Sequence, residues 1–267
     1  MRIGAFLFLF LVNIASSPAA ECTVKSGSAT AALVELYTSE GCSSCPPADR
    51  WLTAIGSTTG DRPLVPRSGT NGLSFVPIAF HVAYWDYLGW KDAFADMRFT
   101  ERQRQFARAA GASSVYTPQV VLGGRDFPEW RSAGSVSRTM ETINARPSRA
   151  MLEIVTRGTP NARVSAVLAP GVRTDDLALF VAITQDGLST KVKAGENRGE
   201  TLRHDHVVRD LAMARDWLKG ASASLTTTAE FAPRPDWKTD RMNVVAFVQN
   251  LKSGEVLQAL SAPLCVR

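Results

Sequence analysis

The chain has 267 residues, 45% of them hydrophobic and 21% charged, with a formal net charge of +5 at neutral pH. That excess is mild and dispersed, which argues against a nucleic-acid partner, and the length admits two ordinary domains. Four cysteines form an even set, Cys22, Cys42, Cys45 and Cys265.

Arg2 is followed by the apolar run "IGAFLFLFLVNIA" and then by "SSPAA". The run is short for a membrane span, and Ser17, Ala19 and Ala20 supply small residues for cleavage, so residues 1–20 read as a secretory signal peptide. Glu21 stands where a lipobox before Cys22 needs a small residue. The expected product is exported to a periplasmic or extracellular space, with no stable membrane insertion after cleavage. An oxidising compartment favours disulfides, and the spacing separates a local pair, Cys42 and Cys45, from a pair at the two chain ends, Cys22 and Cys265. Arithmetic alone leaves three pairings open. A bridge between the ends is the structural one.

Residues 21–147 alternate strand and helix signals. "AALVELY" (31–37) is a buried strand that delivers Cys42 to its end. "PPADRWLTAIG" has helix-start chemistry, with Pro47 at the first position, Asp49 in the first turn and Gly56 as a stop. "STTGDRPLVPRSGTNG" (57–72) reads as an exposed loop. A second buried strand spans 76–82. A helix follows through "DAFADMRFTERQRQFARAAG", where Arg98, Arg102, Arg104 and Arg108 read as a solvated face. Thr117-Pro118 leads into a strand at 119–122, Gly123-Gly124 turns into a further short strand, and a helix at 135–144 closes the series.

Around "ARPSRA" (145–150) the texture changes to strand-like runs separated by turns: "MLEIVTR", "ARVSAVLA", "LALFVAITQ", "STKVKA", "SLTTTAEF", "NVVAFVQN" and "EVLQALS". Residues 148–267 are therefore expected to form an all-β antiparallel sandwich, a partner-binding or scaffolding module. His204 and His206 would share a face of an extended segment, and "GENRGE" reads as a loop able to dock on the first domain.

Cys42-Ser43-Ser44-Cys45 after the first strand, with Thr117-Pro118 before the strand "QVVLGG", resembles the thioredoxin superfamily. More narrowly, "ELYTSEGCSSCPPAD", "AFHVAYWDYLGWKDAFA" and "GENRGETLRHDHVVR" are similar to a family of exported bacterial thioredoxin-like proteins of unknown function. The resemblance implies a thioredoxin-like α/β domain and an exported thiol–disulfide oxidoreductase without a dissociable cofactor, acting on exported protein thiols or disulfides or on a redox partner. Cys42 would be the nucleophile, its thiolate stabilised at a helix N-terminus, and Cys45 would resolve the mixed disulfide. Pro46 and Pro47 interrupt the match, because each disfavours helical backbone in the residue before it. Pro118 would be the cis-proline facing the pair. Glu35 would be a buried acid relaying a proton to Cys45, or else an ion-pair partner of an arginine. His81 with Cys42 and Cys45 offers a soft-metal site as the alternative function, and a non-catalytic adaptor is a further one. Tyr84, Trp85, Tyr87 and Trp90 would line a groove or pack beneath the cysteine loop.

Overall fold

The computed structural model describes residues 21–56, 73–218 and 223–265; the leader at 1–20 and the loop expected at 57–72 lie outside the described residues. Strand β1 (Cys22–Lys25) precedes β2 (Ala32–Thr38), α1 (Pro46–Gly56), β3 (Phe75–His81), α2 (Met97–Ala109), β4 (Gln119–Leu122), β5 (Arg125–Asp126) and α3 (Ala133–Asn144). A 3₁₀ segment at Ala83–Leu88 leads from β3 toward α2. Asp96 caps α2 by accepting a hydrogen bond from the Arg98 N–H at 2.8 Å, and Ser132 caps α3 through the Ser135 N–H.

Apart from a 3₁₀ turn at Thr239–Arg241, the regular elements of the second part are strands: β6 (Ala150–Thr156), β7 (Asn161–Leu168), β8 (Leu177–Gln185), β9 (Leu188–Lys191), β10 (Thr201–His204), β11 (Val207–Ala214), β12 (Ser224–Glu230), β13 (Met242–Asn250) and β14 (Val256–Pro263). Across the whole described chain three strands, β1, β10 and β11, have no counterpart in the runs picked out from sequence. An eight-stranded sheet runs in the order β14, β13, β8, β11, β3, β2, β4, β5, and a four-stranded sheet in the order β1, β6, β7, β12. Two packed β layers do occur. However, one of them continues into the first part, because β11 lies antiparallel to β8 and meets β3 in parallel at Val207 and Ala79.

The boundary near 147 is consequently stitched rather than linked. Pro147 bridges to Ala29, and β1 pairs with β6 from Cys22–Thr156 to Lys25–Glu153. Gln258, fully buried, accepts from the Ala31 N–H and donates to the carbonyls of Gly27 and Ala29. Residues 148–267 thus do not complete their sheets alone.

Strand alternation sorts β2 between two cores. Ala32, Val34 and Leu36 pack with α1 and α3, while Leu33 and Tyr37 pack with Phe80, Phe99, Phe180 and Phe247 on the opposite face. A third core, including Ile154, Val164, Leu179, Val181 and Val244, fills the space between the two large sheets. Among the described residues, no helix is long and apolar enough to cross a membrane.

Candidate functional site

Cys42 and Cys45 lie between the end of β2 and the start of α1 and form a disulfide, with Cα atoms 5.4 Å apart. Regular helix begins at Pro46, and the Cys45 carbonyl accepts from the Ala48 and Asp49 N–H groups at 2.8 and 3.2 Å. Cys45 therefore stands at the cap position, one residue nearer the helix than expected. Pro46 and Pro47 supply no N–H at the first two helical positions, so the helix end offers fewer donors to a thiolate than an ordinary one.

The Thr117–Pro118 peptide bond is cis. Ser44 Oγ donates to the Thr117 carbonyl at 3.5 Å, and Trp85 Nε1 donates to Thr117 Oγ1 at 2.7 Å. These bonds bring the proline turn alongside the cysteine loop. Trp85 also lies under Gly41: a Cβ there would come within 2.9 Å of the Trp85 Cβ, so the loop can approach the indole only as glycine. Trp90 Nε1 donates to Glu40 at 2.8 Å, while Tyr87 is largely exposed.

Both cysteines are buried, Cys42 at 1% and Cys45 at 0% exposure. Part of their cover is the "GENRGE" loop. Asn197 Nδ2 donates to the carbonyls of Glu40 (2.8 Å) and Cys42 (3.1 Å), and Glu196 accepts from the Ser43 N–H at 2.9 Å. The hydrogen bonds from Ser43 hold the Glu196 carboxyl below the usual carboxylate range.

Glu35 lies elsewhere. Its side chain is on the Leu33 and Tyr37 face of β2, opposite the face that carries α1, and it accepts from Arg102 Nη2 at 2.6 Å and Nε at 3.1 Å. The proton-relay expectation is thereby corrected: strand alternation turns the carboxylate away from α1. Arg102 is corrected too. Instead of lying on a solvated face, it is largely covered, with its guanidinium 4.7 to 5.3 Å from the rings of Phe80, Phe180 and Phe247. Burial opposes its charge, but Glu35 outweighs burial and raises the arginine's pKa.

The soft-metal trio of Cys42, Cys45 and His81 is not what converges. Both sulfurs are in a disulfide, and the donor atoms lying within 4.8 Å of one another belong to Asp49, His81 and His204, all buried. His81 Nδ1 is 2.7 Å from Asp92 Oδ2, and Asp92 also accepts from the backbone N–H groups of Glu40 and Phe94. Burial acts to raise the Asp92 pKa; His81 and these N–H groups prevail and hold it low. His204 lies between Glu40 (Nε2 to Oε1, 3.4 Å) and Asp49 (Nδ1 to Oδ1, 3.8 Å). Burial disfavours its protonated form, but the two carboxylates push its pKa up to about 10. His206 does not join it. Its left-handed backbone (φ 60°) breaks the extended alternation, and its ring faces Asp186.

Glu40, Asp49 and Asp92 were not singled out by sequence reasoning as site residues. They occur in two of the three segments that carry the family resemblance, the third supplies His204, and the three segments meet here. A mixed α/β protein with a buried cystine at a helix start, above a cluster of carboxylates and imidazoles, is the class defined by fold and site. The chain belongs to a family of proteins of unknown function (DUF1223), whose pattern matches residues 33–249. It is similar to the crystal structure of protein AGR_C_4864 from Agrobacterium tumefaciens, over 91% of this chain and 97% of that one, with a TM-score of 0.60 and 23% identity. HBP35 of Porphyromonas gingivalis is similar over 89% of this chain and 76% of that one, with a TM-score of 0.61 and 12% identity. At these identities the likeness is one of fold. No curated protein matches the chain.

Proposed function

We propose that the protein is an exported thiol–disulfide oxidoreductase whose reactive pair is Cys42 and Cys45. The observation that carries this reading is the cystine at the start of α1 beside the Thr117–Pro118 turn. The strand order β3, β2, β4, β5, with β2 and β3 parallel across α1 and the next two strands antiparallel, supports a thioredoxin-like organisation of residues 21–147. Two disulfides fit an oxidising compartment.

In the reducing direction the Cys42 thiolate attacks a partner disulfide, forms a mixed disulfide and expels one partner thiolate. The Cys45 thiolate then attacks Cys42 Sγ, releasing the second partner thiolate and closing the cystine. Two electrons pass to the partner. The oxidising direction is the reverse. Burial of both sulfurs favours a second reading, a binding module in which the cystine is permanent.

Trapping distinguishes the two. Cys45→Ser is expected to accumulate mixed disulfides with exported proteins because the releasing step is gone, whereas Cys42→Ser is expected to trap almost none. In reduced protein, a thiol reagent is expected to modify Cys42 faster than Cys45. Equal slow labelling, with no trapped partner from either variant, would establish the permanent cystine instead.

A further inference from the structure

Beneath the cysteine loop, two buried imidazoles and a carboxylate come from three distant parts of the chain. β2 and β3 end side by side, with Thr38 in register with His81. Asp49 is in the first turn of α1, and His204 ends β10, which packs on α1. His81 Nε2 and both ring nitrogens of His204 are fully buried and have no hydrogen-bond partner, as does Glu40 Oε1. The His204–Glu40 separation of 3.4 Å is close enough for ionic attraction without a formed hydrogen bond. Leaving several buried polar atoms unpaired at one place is costly, on the order of 1–3 kcal/mol for each group. A bound cation would pair two of them, His81 Nε2 and His204 Nδ1.

We propose that Asp49, His81 and His204 bind one divalent transition-metal ion of the zinc class. The nitrogen and oxygen donor set suits such an ion, which commonly takes two imidazoles and one carboxylate with a further position left open. Each ligand has an outer partner on the side away from the cluster. Asp92 holds His81 Nδ1 at 2.7 Å, which leaves Nε2 for the metal. Glu40 faces His204 Nε2, which leaves Nδ1 on the side of Asp49. Thr38 Oγ1 donates to Asp49 Oδ2 at 3.1 Å, which leaves Oδ1. Carboxylate–imidazole pairs of this kind orient metal-binding histidines.

The donors lie within 4.8 Å of one another, whereas bonds of about 2.0–2.2 Å in a tetrahedron place them roughly 3.4 Å apart. Binding would require the side chains to rotate inward by that difference. A cleft of about 150 Å³ lined by Pro46, Asp49, Arg50, Leu202 and His204 connects two of the ligands to solvent and gives the open position an outlet. Phe94 closes another side, edge-on to both imidazoles.

The site uses no sulfur and is independent of whether the cystine turns over. The test uses the full exported chain with both disulfides intact, stripped by chelator and then offered Zn²⁺ or Co²⁺ alone. One equivalent of Zn²⁺ by elemental analysis is expected, together with a higher Tm and the visible d–d bands of a low-coordinate Co²⁺ site lacking a thiolate charge-transfer band. His81→Gln and His204→Gln are expected to lose the ion, and Glu40→Gln to bind it about 10–100-fold more weakly. The double variant Cys42→Ser/Cys45→Ser is expected to retain it, which separates this site from the redox pair. The Co²⁺ spectrum and the Tm of the unsubstituted chain decide the question if a histidine variant does not fold. Failure of that chain to take up one equivalent, undiminished binding by His204→Gln, or a thiolate band in the Co²⁺ spectrum would overturn the assignment.

Discussion

At the scale of single residues, Arg102 shows most clearly how a charge on a helix can be committed to the core. Its guanidinium bonds Glu35, reaches Gln249 Oε1 at 2.9 Å in the second part, and sits among three phenylalanine rings. Truncating one partner of such a pair leaves the other charge buried and alone, at a cost of about 3–5 kcal/mol. Urea unfolding of Arg102→Met is expected to show a loss of that size. Glu35→Leu combined with Arg102→Met is expected to recover much of it, since no lone charge then remains. Equal losses in the single and double variants would mean that packing rather than charge dominates at this position. The sequence offered the arginine as an alternative partner for Glu35 but read Arg102 as solvated, because helical periodicity places a side chain on a face without revealing what covers that face.

At the scale of elements, the "GENRGE" loop is a latch on the cysteine loop. Asn197 donates to two carbonyls there, those of Glu40 and Cys42. Asn197→Ala removes both bonds, and a net loss of about 1–2 kcal/mol in the closed state raises the opened population roughly 5–30-fold. Reduction of Cys42–Cys45 by dithiothreitol, followed by quenched alkylation and mass shift, is expected to speed up by that factor. An unchanged rate would mean that reductant reaches the cystine without moving this loop. The loop's docking partner was legible because a polar, glycine-flanked segment cannot fill a core. Strands such as β8 and β13 were legible because they are continuous apolar runs. β11 was not: a register shift between Val208 and Asp210, with Arg209 beside it, destroys the two-residue period by which strands are recognised. The cluster under the cysteines was hidden for a related reason. His204 and His206 look like a pair in sequence, and only the positive φ of His206 separates them.

At the scale of the whole molecule, β11 makes the two sequence-defined regions one sheet. The seam is reinforced where Gly124, in the turn between β4 and β5, meets Gly254, in the turn between β13 and β14. Both have positive φ, and a Cβ on Gly124 would run into the Gly254 carbonyl. The Cys22–Cys265 disulfide ties the start of β1 to the residues after β14, across 243 positions. Replacing both cysteines by serine is expected to destabilise the protein by about 2–5 kcal/mol, measured by denaturant midpoint at constant m. The cystine at 42 and 45 closes only a small loop and should contribute less.

The continuous sheet has a consequence for cooperativity. Cutting between residues 147 and 148 would expose the β3 edge, remove β1 from the four-stranded sheet and strip Arg102 of Gln249. It would also leave the buried Gln258 amide without the carbonyls of Gly27 and Ala29. Neither piece can replace these partners from its own sequence, and unpaired buried polar groups and open sheet edges disfavour the folded state and favour association. The chain from residue 21 onward is therefore expected to unfold in one transition, with far-ultraviolet dichroism and tryptophan fluorescence changing together. Residues 21–147 and 148–267 expressed separately are expected to be unfolded or aggregated, and to regain native dichroism only when combined. Two separated transitions in the whole chain, or a stable monomeric 21–147 fragment with native dichroism, would show that the seam carries little of the stability and that the regions fold as independent domains.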